Sequence, residues 1–298
     1  MRLKFLSNKK FLTVLNISVA VLSLVVIVWK LSSSLTYQDK SVSLSSYFYF
    51  IYVLLLVPLN WLLEAYKWRM LMGGVHRFSL TGALRRVIEG LPFGIITPAR
   101  VGEWYGRTAD LTDKKQSLAL TSIGGLTQQV VTVIAGVAGS VYIRLSDIRL
   151  VILAVVIAMI LLLLILWLWQ ARFLQAFYLN ASRVSLFLKV LVLSILRYCV
   201  FVGQYVLLLR FFSVGVDLST SVAIIALSYL ISYLLPLNAF VDLGLRSSAM
   251  ILFFAPLTDN LAGVILSGLV LWTVNVALPS VIGASMLVRK NLFLHKDG

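Results

Sequence analysis

Residues Leu91 to Leu111 read LPFGIITPARVGEWYGRTADL, and the way this stretch is placed decides the fold. An apolar run is interrupted by Pro92, Pro98 and glycines, and Arg100, Glu103, Arg107 and Asp110 then follow closely. Proline removes a backbone donor and glycine weakens a helix interior, so the segment is expected to turn back instead of crossing as one rod. Continued as a helix, Arg100, Glu103 and Arg107 fall at i, i+3 and i+7, on one face. Charges among apolar neighbours at membrane depth are costly unless paired or hydrated, so that face is expected to line a polar cavity. The plainer reading is a cytoplasmic loop with ordinary surface charges.

The rest of the chain makes lipid the solvent. Hydrophobic residues make up 60% of the 298 and charged residues 12%, against about 25% charged in a soluble domain. A membrane helix needs about 20 apolar residues, and the runs 11–30, 46–64, 117–142, 150–170, 186–210 and 260–287 qualify. The net charge of +15 could suggest nucleic acid, but the basic residues flank apolar runs instead of forming one face, which is the membrane pattern and argues against that partner. With these six runs alternating, nineteen of the 26 Lys and Arg residues fall on one side and five on the other, with Arg197 and Arg246 inside apolar stretches. The asymmetry predicts a multi-pass protein of the cytoplasmic (inner) membrane with both termini cytoplasmic. Arg2, Lys4, Lys9 and Lys10 precede the run Phe11 to Val28, which is long enough to be an uncleaved first membrane helix.

That parity leaves 80–112 and 219–257, the second broken at Pro236, as excursions that start and finish on one side. The expected fold is therefore an all-α polytopic membrane protein of about six spanning helices plus two Pro-broken re-entrant hairpins. Irregular backbone at membrane depth is tolerated where it lines a cavity, and such segments mark transporter sites. A shift of 144 residues lays Leu91-Pro92 on Leu235-Pro236, Gly124 on Gly268 and Gly139 on Gly283. Each half then reads helix, helix, hairpin, helix, so the single transmembrane domain 1–298 divides into half-repeats 1–145 and 146–298 of inverted topology. The alternative is eight spanning helices, or an interfacial helix at 80–95 with two full spans within 219–257. Pro92, Pro98, Gly102, Pro236 and Gly244 are the expected turn residues.

Polar residues inside apolar runs include Asn16, Asn60, Glu64, Gln128, Gln129, Arg197, Gln204 and Asn275. The amides are expected to hydrogen-bond between helices. Arg197 needs a partner, and Glu64 or Asp242 could supply it. Trp61, Tyr66, Trp68 and Trp104 read as interfacial anchors, and Gly124, Gly125, Gly136 and Gly139 as helix-packing residues. Cys199, the single cysteine, is expected to be a buried inert thiol. His76 and His295 lie far apart with no ligand cluster, so neither a metal nor another cofactor is expected.

The segment Glu64 to Leu111, with Lys67-Trp68-Arg69, Leu91-Pro92 and Thr97-Pro98-Ala99-Arg100-Val101-Gly102-Glu103, resembles the lysylphosphatidylglycerol synthase transmembrane-region family. Those are flippase-like membrane proteins marked by an RW-like pair after the second helix and a P-x-R-x-G-E turn. The resemblance implies movement of an anionic phospholipid or polyprenyl-phosphate-linked intermediate between leaflets. Arg100, Glu103, Arg107, Asp242, Arg246, Arg197 and Glu64 would bind the substrate. Two departures stand out. The family's second hairpin commonly carries Arg-Glu, whereas here Arg246 is followed by Ser247, so Asp242 at i, i+4 is the candidate replacement carboxylate. No aminoacyl-transferase domain follows before Gly298, so lysyl-lipid synthesis is not expected. An enzyme is disfavoured by the absence of a nucleophile–base or metal-carboxylate set, and direct ATP drive by the absence of a Walker motif. An accessory subunit of a membrane lipid- or glycan-modifying enzyme is the alternative reading.

Overall fold

The computed structural model describes residues 9–33, 44–143 and 181–294. They are helical, with no strand among them. The first half comprises α1 (Lys9–Ser33), α2 (Leu44–Met72), α3 (Leu80–Ile96), the short α4 (Gly102–Thr108) and α5 (Lys114–Tyr142). The second comprises α6 (Ala181–Phe211), α7 (Leu218–Tyr233), α8 (Ala239–Phe254), α9 (Leu261–Trp272) and α10 (Leu278–Leu294), with the π-helical turn Thr273–Ala277 joining the last two.

Five of these helical segments are long and apolar enough to cross a membrane: Thr13–Lys30, Tyr47–Met72, Lys114–Tyr142, Ser185–Phe211 and Leu261–Arg289. They coincide with five of the six runs named from sequence, and 150–170 lies outside the described residues. Their outward faces are apolar: Val14, Leu22, Leu24, Val25, Leu55 and Val281 are all largely exposed. That pattern suits lipid and would be untenable in water. Cys199 belongs to this outer surface, since it is exposed on α6. The expectation of a buried thiol fails because an apolar helix hides cysteine as readily in lipid as in a core.

The second span runs to Met72, well past the expected end at residue 64. Glu64 and Lys67 sit inside α2 as a buried ion pair at 2.8 Å, so their charge does not end the helix. Trp68 is likewise buried, donating from Nε1 to Thr121 Oγ1 at 2.9 Å, and is a packing residue of α2 and α5 instead of an interfacial anchor.

α3 and α4 form one hairpin, α7 and α8 another. The elements interlock reciprocally: α5 packs on α7, α10 packs on α3, and α2 lies along α6. Glycines permit these approaches. A Cβ on Gly139 would come within 2.6 Å of the Ala223 carbonyl, and one on Gly283 within 2.1 Å of the Ile88 carbonyl. Gly136 meets Ala226 and Leu230 in the same way, while Gly124 faces Leu71.

Pro92 does not break the chain as expected; α3 continues through it. Its missing N–H would have bonded the Ile88 carbonyl, and Gly283 of α10 lies against that same carbonyl. The break falls at Thr97–Val101, where Pro98 opens a 3₁₀ turn and Ala99 and Arg100 take φ of 50° and 57°. Left-handed backbone costs a non-glycine residue about 1–2 kcal/mol each. Gly244 is also no turn residue. It lies within α8 and faces Ser23 of α1, with Pro236 alone marking the turn between α7 and α8. Asn238 caps α8, accepting from Phe240 N and Val241 N. Asp217 caps α7, and its bonds from the Ser219 hydroxyl and Thr220 N hold its carboxyl below the usual range.

Candidate functional site

The hairpin turns meet. Ala99 N donates to Leu237 O at 2.9 Å, joining the tip of one hairpin to the tip of the other. Beside this junction lies a cavity of about 520 Å³, lined by residues of α2, both hairpins, α5, α6, α9 and the π-helical turn.

Arg100 does not lie on the helical face that the i, i+3, i+7 spacing implied. Its φ of 57° places it in the turn before α4. It still reaches Glu103, donating from Nε to Oε1 at 2.6 Å. Arg107, one turn further along α4, approaches the other Glu103 oxygen at 3.4 Å. Glycines on α3 make room for both side chains: a Cβ on Gly94 would sit 2.3 Å from Glu103 Cγ, and one on Gly90 2.7 Å from Arg107 Cγ. Gly102 answers from α4, where a Cβ would lie 2.2 Å from Phe93 O. This small-residue seam is what lets a seven-residue helix lie tightly on α3.

Glu64 of α2 is the hub. Its Oε1 accepts from Arg107 Nη1 at 2.6 Å, and its Oε2 accepts from Arg197 Nη1 at 2.9 Å and lies 2.8 Å from Lys67 Nζ. Of the two partners considered for Arg197, Glu64 is the one it meets, and Asp242 is engaged elsewhere. Arg197 Nε also donates to Asn60 Oδ1 at 2.8 Å. From there a chain of amides crosses the helices. Asn60 donates to Asn275 at 2.9 Å, Asn275 to Gln204 at 3.2 Å, and Gln204 to the Val53 carbonyl at 3.1 Å. Asn275 stands in the π-helical turn, the kind of irregularity that often accompanies a functional site. The amides therefore join helices, as expected. Asn16 also does so, accepting from Asn238 N at 3.1 Å.

The second hairpin contributes a self-contained group. Asp242 pairs with Arg246 one turn along α8 and accepts from the Ser232 hydroxyl of α7. The Arg246 guanidinium lies 3.9 Å from the centre of the Tyr229 ring. Asp242 therefore supplies a carboxylate to Arg246 where the resembled pattern has glutamate next to it. Ser247, at that next position, is buried and lines the cavity.

All seven residues singled out from sequence line this one cavity: Glu64, Arg100, Glu103, Arg107, Arg197, Asp242 and Arg246. Sequence reasoning named Lys67 as an inside basic residue and as part of the Lys67-Trp68-Arg69 motif but left it out of the substrate-binding set, although its i, i+3 spacing from Glu64 could have marked it. It also missed the tyrosines Tyr198, Tyr205, Tyr229 and Tyr233 on the cavity wall, which no local signal separates from ordinary membrane aromatics. Trp104 lines the cavity too, its ring lying against Gly125 of α5.

The ionisable lining other than tyrosine is five cations, Lys67, Arg100, Arg107, Arg197 and Arg246, against three carboxylates, Glu64, Glu103 and Asp242. Each carboxylate touches at least one cation. Such an arrangement holds an anion well, because arginine forks match carboxylate and phosphate oxygens. It is poorly arranged for general-base chemistry, since every carboxylate is already neutralised. Among the described residues no group of three or more His, Cys, Asp or Glu is placed to hold a metal ion. Comparison with models of known families, with curated proteins and with solved structures finds no match to this chain.

Proposed function

We propose that this chain translocates an anionic lipid, or a lipid-linked intermediate, between the leaflets of the cytoplasmic membrane. The observation carrying this reading is the cavity itself, a space of about 520 Å³ lined by five cations against three carboxylates, at the meeting point of two hairpin turns, inside a bundle with an apolar exterior. In this reading the hairpins α3–α4 and α7–α8 are re-entrant from opposite leaflets. Their lengths support it: at 1.5 Å per residue, the 16-residue α7 and α8 are each about 24 Å long, short of a hydrocarbon core of about 30 Å.

The helix order and the reciprocal packing of α5 on α7 and α10 on α3 support two half-repeats, 1–145 and 146–298, of inverted topology. The repeated glycines add to this: Gly139 and Gly283, 144 residues apart, each meet the first arm of the other half's hairpin. Both termini are assigned to the cytoplasm from the distribution of basic residues. The P-x-R-x-G-E turn, Pro98 to Glu103, supports kinship with the flippase-like lysylphosphatidylglycerol synthase transmembrane regions. The headgroup would slide along Arg100, Arg107, Arg197 and Arg246 while its tails stay in the bilayer. Conformational opening of the Ala99–Leu237 junction would pass it from one side to the other.

The test is headgroup translocation in proteoliposomes, using fluorescent anionic phospholipids and a polyprenyl-phosphate analogue. Wild type is compared with Arg100→Ala and Glu103→Gln. Movement by wild type that both variants lose is expected. Absence of movement with every lipid, in protein shown to be folded, would overturn the reading in favour of an accessory subunit.

A further inference from the structure

The charges in the cavity are unevenly divided. Asp242 and Arg246 neutralise one another on α8. The remaining group has two negative charges, Glu64 and Glu103, shared by four positive ones, Lys67, Arg100, Arg107 and Arg197. Among the described residues the other five carboxylates are placed away from the cavity. Glu89 is paired with Arg85 and Asp110 with Arg86, while Asp113, Asp217 and Asp259 stand at or beside helix starts. The group therefore carries an excess of two positive charges, and two of its cations are deeply buried: Lys67 is 1% exposed and Arg107 4%.

Desolvated like charges repel strongly where the dielectric is low. A site that tolerates this is built to be completed by an anion. A second, independent observation points the same way, since Arg107 Nε is buried with no hydrogen-bond partner, as is the Tyr198 hydroxyl on the same wall. Arg246 Nε is likewise unpartnered, and open donors beside an excess of two positive charges suit oxygens that carry two charges between them.

Building on the translocation reading above, we propose that the cavity takes a phosphate monoester or diphosphate headgroup, a dianion, in preference to the monoanionic phosphodiester of common anionic phospholipids. Arg107, Lys67 and Arg197 hold the phosphate in place of the shared Glu64 alone. Arg100 closes it from the turn. The remaining volume, with the Tyr229 and Tyr233 rings on its wall, accepts whatever the phosphate carries.

Isothermal titration of the full chain in detergent tests this at pH 7, above the second phosphate pKa of about 6. Four probes are compared: dioctanoyl phosphatidic acid, dioctanoyl phosphatidylglycerol, dioctanoyl phosphatidylcholine and inorganic pyrophosphate. Phosphatidic acid is expected to bind about tenfold or more tightly than phosphatidylglycerol, with phosphatidylcholine weaker still. Lys67→Met and Arg100→Gln each reduce the excess by one positive charge and are expected to bring the two anionic lipids towards equal affinity. The Arg100 side chain is 37% exposed, so its variant disturbs packing least.

Equal affinity of wild type for the two anionic lipids would overturn the dianion assignment and leave anionic-lipid transport standing. No binding of either by folded protein would overturn both. Pyrophosphate binding as tightly as phosphatidic acid would support the dianion site and overturn the lipid as its source.

Discussion

The two hairpins occupy corresponding places in the helix order but solve the problem of buried charge differently. In α7–α8 the charged groups pair within the hairpin, since Arg246 meets Asp242 on its own helix and Tyr229 across the hairpin, and Ser232 holds Asp242 from α7, with Arg246 Nε alone left unpartnered in that group. In α3–α4 the charges leave the hairpin. Arg107 reaches Glu64 on α2, which also holds Lys67 and Arg197. The arms differ accordingly: α3 and α4 close over glycines at positions 90, 94, 102 and 106, whereas α7 and α8 are linked by side chains. A hairpin whose charges close on themselves is an electrostatically neutral wall. One whose charges depend on a neighbouring helix has its stability tied to whatever occupies the space between them.

The sharpest way to break this contrast is at the hub. Glu64→Gln leaves Lys67, Arg107 and Arg197 without their common carboxylate. The expected cost is about 3–5 kcal/mol, as for removing one partner of a buried ion pair, with translocation abolished. Thermal melting and the proteoliposome assay read the two effects, and a melt unchanged from wild type would show that Glu64 is not the hub.

The glycine seam comes next. Gly94→Ala drives a Cβ into Glu103 Cγ, an overpacking expected to cost about 1–3 kcal/mol, and to slow translocation without removing a charge. Gly244→Ala in the other hairpin meets Ser23 at an ordinary 3.4 Å and should melt within about 0.5 kcal/mol of wild type. Equal destabilisation by the two changes would erase the distinction between the seams.

A smaller effect on translocation is expected from Asp242→Asn. It keeps the Ser232 bond but loses the charge opposite Arg246, at a cost of about 1.5–3 kcal/mol for a charge-assisted hydrogen bond. Translocation should slow but persist, whereas Glu64→Gln stops it; a complete stop in both would make the second hairpin equally central. The smallest change is stabilising. Ala99→Gly relieves a φ of 50° and should raise stability by about 1 kcal/mol. If melting instead falls, the strain is not at Ala99.

Much of this molecule could be read from its residues, for identifiable reasons. Membrane helices declare themselves by length and apolarity because lipid imposes one requirement along the whole segment. Five expected spans thus reappear in the described structure, four of them within a few residues and the second running on from the expected 64 to Met72. The break at Pro98 was legible, and so was the i, i+4 pairing of Asp242 with Arg246, because both are local. Pro92 and Gly244 were misread as turns because a proline or glycine in a helix is judged by what lies beside it. For Pro92 that neighbour is Gly283, 191 residues away, and for Gly244 it is Ser23.

The sequence by itself determined the solvent, the helical class and the list of charges that cannot be left in lipid unpaired. Those follow from composition and from the cost of burying a polar group, which no folding detail alters. Only the tertiary structure decided which charges meet. Glu64 lies 43 residues from Arg107 and 133 from Arg197, and its two oxygens bring both to one cavity with Lys67. Ion pairing depends on distance through space and is blind to separation along the chain, so the packing of α2 against α6, and against α3 that carries α4, sets the balance of charge at the site.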